Sequence, residues 1–396
     1  MAFVKVPFDG HARIMTPPSG CGMCFLIGNG NGAAKAQRRE RRGPACLKHQ
    51  ANREGVMYKI TRRNMYKITR RKMLQGAGVV AGTGLFIRSL GLRAAWADFV
   101  REPERAGYIP VTGGRIWYRL NGGRHFAAGK TPLIVIHGGP GMSHHYLLPL
   151  VDLADERPVI FYDQLDSGHS DRPNDPANWV VERFVSEVDA VREALGLDRV
   201  LVFGNSWGGS VAAEYAITQP KGLVALVLSS PLLNTERWIA DNTEYRRQLP
   251  EDVQQALDKH EAAGTIDSAE YQDAVMVFYN RHFNRMDPWP DELNRTFEVF
   301  SGDLYVTMWG NTEFNATGTL KGYDSTGRLS RIQVPTLYTC GEFDEATPGA
   351  CKDFAGLTPN AEVKIIPNAS HTAFLEQREL YITTIREFFA RVAQDA

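Results

Sequence analysis

Short apolar runs, each ended by turn residues, recur from Tyr108 to the end of the chain. The first, residues 115–120, alternates between polar and apolar positions and predicts an edge strand. Six later runs are apolar almost throughout, which is typical of parallel strands covered on both faces of a sheet. These runs are residues 132–136, 158–162, 200–203, 224–228, 336–339 and 363–366.

Helical spacing of apolar residues separates several of these runs, at residues 182–195, 210–218 and 376–393. Such alternation predicts an α/β fold with a mostly parallel, doubly wound sheet. Residues 231–331 break the alternation, because they have helical spacing and many aromatic residues but no buried-strand run. That interval is too long for a loop. We therefore predict a helical cap inserted between two parts of an α/β core, residues 98–230 and 332–396.

Residues 1–56 show no helical or strand periodicity and are rich in Gly, Pro and Arg. Their Cys21 and Cys24 have the spacing of a metal-binding or redox pair, but the second pair of such a site is missing. A basic arm that binds nucleic acid is also disfavoured, since no fold for that purpose accompanies the charge. We interpret residues 1–56 as a disordered leader or as an upstream over-extension of the reading frame.

Residues 57–97 have the order of an export signal. The tandem repeat MYKITRRN and MYKITRRK brings Arg70-Arg71 before a Gly-rich apolar stretch, residues 76–92. Ala95-Trp96-Ala97 then places small residues where an A-x-A cleavage site needs them. The segment resembles a twin-arginine signal peptide, which implies the twin-arginine export machinery as a partner and a periplasmic or secreted protein. The alternative is a surface helix that happens to carry Arg pairs.

Charge differs sharply between the two parts of the chain. The whole sequence has 45 Lys+Arg and 45 Asp+Glu, but residues 1–97 hold 18 of the basic residues and three of the acidic ones. The remaining, acidic part disfavours a nucleic-acid or anionic-membrane surface. No stretch approaches the ~20 apolar residues of a membrane span, so no stable membrane anchor is expected. Of the five Cys, only Cys340 and Cys351 follow the expected cleavage site, and an oxidising periplasm would allow them to pair.

The segment Gly204-Asn205-Ser206-Trp207-Gly208 joins the run at 200–203 to the following helical pattern. G-x-S-x-G between a strand and a helix is the pattern of a nucleophile elbow, in which a sharp turn presents the serine. The flanking glycines leave room for neighbouring backbone. We therefore predict Ser206 as a nucleophile.

A serine hydroxyl needs a base to take its proton and a carboxylate to orient that base. His371 follows the run at 363–366 and is the predicted base, whereas His260 and His282 fall in the helical cap and are expected to pack or lie on the surface. Asp344 follows the run at 336–339 and is the predicted acid. Its neighbours Glu342 and Glu345 are the rivals and are expected to be solvated.

His137-Gly138-Gly139-Pro140-Gly141 follows the run at 132–136. Consecutive glycines there let backbone N–H groups approach a tetrahedral oxyanion, with the N–H of Trp207 as a second donor. The alternative is an ordinary Gly-rich turn. The chain has neither an H-E-x-x-H motif nor a P-loop, so no metal and no cofactor is predicted.

HGGPG at His137, DQLDSGHS at Asp163, GNSWGG at Gly204, GEFD at Gly341 and the SH at Ser370 together resemble the proline iminopeptidase family of α/β-hydrolases. Its members remove an N-terminal residue, often proline, from peptides, and relatives act on amino-acid amides. The resemblance implies an α/β-hydrolase fold with a cap before the acid-bearing strand. It also implies Ser206, Asp344 and His371 as the triad, and Gly138 and Trp207 as oxyanion donors.

The resemblance further implies carboxylates in the cap that grip the free amine of the substrate. MWGNTEF, from Met308, matches the family segment with one of them, so Glu313 is the candidate, and a solvated helix-face Glu is the alternative. Trp309 would either form one wall of the pocket for a proline ring or simply pack within the cap. Glu270 and Asp273 are possibilities for a second carboxylate. Asp166 departs from the usual Gly of the family, so it either tolerates a positive φ or alters the choice of substrate.

The sequence thus predicts an exported, cofactor-independent serine aminopeptidase that acts on small peptides or amino-acid amides through an acyl-enzyme. An L-amino-acid amidase or carboxylesterase on the same Ser-Asp-His scaffold is the nearest alternative, since the triad serves all acyl transfers. A non-catalytic binding module on a hydrolase fold is a more distant one.

Overall fold

The computed structural model describes residues 102–393 of the 396-residue chain. An eight-stranded sheet with the strand order β1-β2-β4-β3-β5-β6-β7-β8 forms its centre. The strands are β1 (Arg105–Val111), β2 (Gly114–Asn121), β3 (Leu133–Ile136), β4 (Val159–Asp163), β5 (Val200–Asn205), β6 (Leu223–Ser229), β7 (Thr336–Gly341) and β8 (Ala361–Ile366). All pairings from β4 to β8 are parallel, which confirms the mostly parallel sheet.

The edge of the sheet differs from the sequence prediction. The segment at 115–120 lies in β2, which pairs antiparallel with β1 on one side and with β4 on the other, so it is not an edge strand. One edge of the sheet is β8, and the other is β1, for which no strand was predicted. Four of its seven residues are exposed, and it contains Gly107 and Pro110, so its pattern carries little apolar signal.

Both faces of the sheet are covered, because successive side chains of each central strand enter different cores. In β5, Val200 and Val202 pack on one face while Leu201 and Phe203 pack on the other. The first face meets helices α1 (Val181–Leu195) and α2 (Trp207–Ile217), which agree with two predicted helices. Apolar runs without alternation therefore reflect burial on both faces, as in a doubly wound sheet.

Five helices lie between β6 and β7, where the sequence predicts a helical insertion. They are α3 (Thr235–Arg247), α4 (Glu251–Ala263), α5 (Ala269–His282), α6 (Asp291–Glu298) and α7 (Gly302–Met308). We call residues 231–331 the cap. Part of it has a separate apolar cluster, which includes Leu257, Tyr271, Phe278 and Phe314.

The last part of the chain returns to the sheet. Helix α8 (Pro348–Gly356), which the sequence analysis missed, joins β7 to β8, and α9 (Ala373–Glu376) and α10 (Arg378–Val392) follow β8. The predicted helix at 376–393 is therefore two helices that meet at Gln377, whose backbone (φ −129°, ψ 50°) is not helical. Within residues 102–393, no helix is both long and apolar enough to cross a membrane.

Cys340 in β7 and Cys351 in α8 are both buried free thiols. A hydrogen bond with Cys351 and burial raise the pKa of the Cys340 thiol. The two residues that the sequence left as a possible pair are thus neighbours, but they are not bonded to each other.

The turn after β4 explains the unusual Asp166. Its φ is +64°, which confirms a left-handed conformation, and its side chain is fully buried. One carboxylate oxygen accepts the N–H of Asn174 at 2.8 Å, and the other accepts the indole N–H of Trp179 at 2.8 Å. Asp166 therefore anchors two downstream residues to the turn.

We predict that Asp166→Gly lowers the free energy of unfolding by about 1–3 kcal/mol, because glycine suits the φ but leaves both buried donors without their acceptor. Asp166→Asn, which keeps one acceptor oxygen, is the matched control and should lose less. Urea unfolding measures both variants. Equal stability of the Gly variant and the wild type would contradict the anchoring role.

Candidate functional site

Ser206 lies at the sharp turn between β5 and α2, with φ 57° and ψ −122°. A Cβ atom on Gly204 would lie 2.1 Å from the carbonyl oxygen of Gly208, and one on Gly208 would lie 2.3 Å from that of Ile136. Neither distance is compatible with a side chain. The two glycines therefore permit the close backbone approach that the motif predicts, and the turn holds Ser206 in a conformation that non-glycine residues rarely adopt.

Asp344 and His371 form a buried pair. The Nδ1 atom of His371 lies 2.8 Å from Oδ1 of Asp344, whose side chain is inaccessible to solvent. Three further donors hold the carboxylate: the hydroxyl of Ser230 at 2.6 Å and the N–H groups of Gly341 and Ala346 at 3.0 and 2.8 Å. The carboxylate thus fixes the orientation of the imidazole, and Ser230 is a contributor that the sequence analysis missed.

The glycine-rich segment after β3 departs from one prediction. The N–H of Gly138 donates to the hydroxyl of Tyr146 at 2.7 Å, and that hydroxyl donates to Oδ1 of Asn205 at 2.7 Å. The hydrogen of Gly138 is already used, so this residue is not placed to bind an oxyanion. The next residue, Gly139, lines the same cavity as Ser206.

Trp207 is the first residue of α2, so its N–H has no acceptor within the helix. Its indole is buried and donates to Oε1 of Gln164 at 2.9 Å, which fixes the side chain. The backbone N–H groups of Gly139 and Trp207 therefore replace the predicted pair Gly138 and Trp207 as candidate oxyanion donors.

A cavity of about 300 Å³ is lined by both Ser206 and His371 and by many residues of the cap. Its walls are largely aromatic. Trp309, a predicted wall residue, is among them, and its indole N–H donates to the carbonyl of Thr312 at 3.1 Å. Trp238 meets Trp309 edge-on at 6.4 Å and His371 at 5.8 Å, measured between ring centroids.

Glu313 also lines this cavity. Its Oε2 atom accepts the hydroxyl of Tyr279 at 2.9 Å and that of Tyr305 at 2.8 Å. Burial, followed by the nearby charge of Glu313, raises the pKa of both tyrosines well above the usual value, so they remain donors. The structure therefore holds Glu313 at the cavity wall and not on a solvated helix face.

Glu345 contradicts the expectation that it is solvated. It is only 4% exposed, it lines the cavity, and its Oε1 atom lies 3.7 Å from Nε2 of His371. Its Oε2 atom is buried and has no hydrogen-bond partner. Burial first, and then the charges of Glu313 and Asp344, raise its pKa well above the usual value. Glu345 thus lies at the cavity wall beside the imidazole of His371, and one of its carboxylate oxygens is buried without a hydrogen-bond partner.

The other carboxylates considered from the sequence lie elsewhere. Glu270 is exposed and pairs with Lys259 at 2.7 Å, and neither it nor Asp273 lines the cavity. Glu342 is exposed, as expected, and accepts the N–H of Asn368. Asp166 does not line the cavity either. Besides Glu313, the cavity is lined by Asp287 and Glu345, and of these Glu345 lies beside His371. The position of Glu345 directly after Asp344 was the signal available in the sequence.

His282 connects the cap to Glu345 and His371. Its carbonyl oxygen accepts the N–H groups of Glu345 and His371, both at 3.2 Å, and its imidazole donates to the carbonyl of Phe343 at 2.8 Å. His282 thus has the packing role expected for it, and it contacts the two loops that carry Glu345 and His371. His260 bonds to Thr265 and Glu270 on the cap. The described residues contain no cluster of three or more side chains suited to a metal ion.

Comparison with known proteins identifies the fold and the family of the chain. The family model of the alpha/beta hydrolase fold matches residues 131–377, so the protein is an α/β-hydrolase. The proline iminopeptidase of Heyndrickxia coagulans is 42% identical over 286 residues, which are 71% of this chain and 97% of that protein. The proline iminopeptidase of Saccharolobus solfataricus is 33% identical, over 72% of this chain and 92% of that protein.

Two solved structures are also similar. The structure of VinJ is 37% identical with a TM-score of 0.71, covering 74% of this chain and all of that one. The structure of proline iminopeptidase from Mycobacterium smegmatis is 36% identical with a TM-score of 0.68, covering 72% of this chain and 98% of that one. The chain belongs to the proline iminopeptidase family, and it is a hydrolase.

Proposed function

We propose that the protein is a serine aminopeptidase that releases an N-terminal residue, with proline preferred, through an acyl-enzyme. The observation that carries this proposal is the pair Glu313 and Glu345 on the wall of the cavity that Ser206 and His371 also line. The names of the similar proteins support the same activity. A simple ester has no charge with which a pair of carboxylates could interact, whereas a substrate with an ammonium group does.

The chemistry begins at Ser206. His371 takes the proton of the hydroxyl as the oxygen attacks the scissile carbonyl, and Asp344 stabilises the imidazolium that forms. The N–H groups of Gly139 and Trp207 stabilise the negative oxygen of the tetrahedral intermediate. His371 then gives its proton to the leaving nitrogen, and water hydrolyses the acyl-enzyme by the same steps in reverse order.

The position of the amine in the site follows from its short distance to the scissile carbonyl. In an N-terminal residue, a single carbon atom separates the amine from the carbonyl that Ser206 attacks, so the amine must lie close to the triad. Glu345 is 3.7 Å from the catalytic imidazole, and burial, followed by repulsion from Glu313, raises its pKa. An ammonium between the two groups relieves that repulsion and supplies the missing counter-charge. An N-acylated substrate has no such charge and leaves the carboxylates unpaired.

The wall formed by Trp238 and Trp309 would contact the side chain of the released residue. Flat aromatic faces suit the apolar ring of proline, and both indoles are almost fully buried. An L-amino-acid amidase would use the same triad and the same amine site, so it differs from the proposed aminopeptidase only in its leaving group.

We predict that the wild type hydrolyses a free prolyl arylamide and leaves the N-acetylated arylamide intact. Ser206→Ala should lower turnover by about 10⁴-fold or more, because it removes the nucleophile, while its thermal unfolding stays close to that of the wild type. A fluorophosphonate probe should label the wild type and not the variant. Retained turnover in Ser206→Ala would move the nucleophile elsewhere, and equal cleavage of both arylamides would contradict amine recognition.

We also propose that residues 57–97, which lie outside the described residues, direct export of the folded enzyme. Arg70-Arg71, the apolar stretch after them and Ala95-Trp96-Ala97 support this proposal. The tandem repeat offers a matched control, because Arg62-Arg63 is the same pair eight residues earlier.

The double variant Arg70→Lys/Arg71→Lys should keep the protein in the cytoplasm and uncleaved, because the twin arginines next to the apolar stretch are lost. Arg62→Lys/Arg63→Lys should still give the shortened exported form. Fractionation of cells that produce each variant, followed by N-terminal sequencing, measures the outcome. Export of both variants to the same extent would contradict the role of Arg70-Arg71 in export.

A further inference from the structure

The charges around the cavity have one sign only. Among the described residues that line it, Asp287, Glu313 and Glu345 are acidic, and none is Lys or Arg. Glu313 and Glu345 suit the amine of the substrate, but no Lys or Arg side chain of the described lining supplies a cation for a carboxylate. A dipeptide carries one charge of each sign. The cavity therefore offers a counter-charge to its ammonium group but none to its carboxylate.

The catalytic histidine lies against a continuous aromatic surface. The ring of Phe283 stacks on that of His371 with centroids 5.6 Å apart, and it contacts Trp289 at 5.8 Å and Phe297 at 6.1 Å. Trp289 and Phe297 also stack on each other at 5.8 Å. We call Phe283, Trp289 and Phe297, all of which line the cavity, the aromatic wall.

The leaving group must lie beside His371, because this residue donates the proton to the leaving nitrogen. In a dipeptide, the carbon of the free carboxylate is only about 2.5 Å from that nitrogen. The carboxylate would therefore lie within the space bounded by His371, Glu345 and the aromatic wall. It would be partly removed from water, would face a like charge and would find no cation.

We propose that this enzyme acts on N-terminal residues whose leaving group is uncharged and apolar, and that it discriminates against dipeptides with a free carboxylate. The proposal rests on the aminopeptidase function proposed above and adds the class of leaving group. The reaction remains a simple hydrolysis, in which the acyl C–N bond breaks, His371 protonates the leaving amine and water completes the released amino acid. An amide or aryl group at the leaving side packs on the aromatic wall without a charge to bury.

The test uses two substrates that differ only in charge, prolyl-phenylalanine and prolyl-phenylalanine amide. We expect kcat/KM to be about tenfold or more higher for the amide, with most of the difference in KM, because a like-charge contact in a buried site weakens binding by at least that factor. A ratio within twofold, or a preference for the acid, overturns the proposal. Prolyl arylamide is the reference substrate: if it is not cleaved, the aminopeptidase function itself has failed, whereas cleavage with a ratio near one removes only the leaving-group proposal.

A variant locates the effect at the aromatic wall. Asn294 lines the cavity on the same helix as Phe297, and its amide donates to the carbonyl of Trp289 at 3.1 Å. Asn294→Lys adds a cation there and should narrow the amide-to-acid ratio by about threefold or more, since the carboxylate gains a partner. Asn294→Gln, the uncharged control, should keep the wild-type ratio. An unchanged ratio in Asn294→Lys, with thermal unfolding like that of the wild type, would place the leaving group elsewhere and overturn the proposal.

Discussion

The site depends on a buried acidic group next to a base. Glu345 is 4% exposed and 3.7 Å from the imidazole of His371, and Glu313 shares its cavity. Burial and the neighbouring carboxylates raise the pKa of Glu345, which disfavours its ionised form. In the function proposed above, a substrate ammonium is the counter-charge that makes the ionised form favourable. Glu345 would then link substrate binding to the charge state of the active site.

The fold makes this contact possible through a single loop. The segment after β7 carries Asp344 and Glu345 in succession, and the two side chains serve opposite sides of His371: Asp344 lies 2.8 Å from Nδ1, and Glu345 faces Nε2. The carbonyl oxygen of His282 accepts the N–H groups of both Glu345 and His371. The same hydrogen bonds therefore connect the cap to the loops that carry Glu345 and His371, so a displacement of α5 would disturb both residues together.

The elements that the sequence predicted well are those whose signal is local. Strands buried on both faces appear as apolar runs, and the elbow around Ser206 needs its glycines because backbone atoms approach within a few ångströms. The predictions that were wrong concern residues whose environment is set by tertiary contacts. Gly138 is excluded as an oxyanion donor by the hydroxyl of Tyr146, and Glu345 is buried by cap segments far away in the chain. The edge strand β1 carries too few buried residues to produce a pattern.

The most direct test of this account is the pH dependence of kcat/KM for a free prolyl arylamide, divided by that for a neutral ester such as p-nitrophenyl acetate. Both substrates use the same base, His371, so its contribution cancels in the ratio. As pH rises through the raised pKa of Glu345, the carboxylate forms and pairs with the ammonium, so the ratio should rise in the wild type until the substrate amine loses its own proton. In Glu345→Gln the ratio should be lower and should lack this rise. The same pH dependence in both proteins would contradict the role of Glu345.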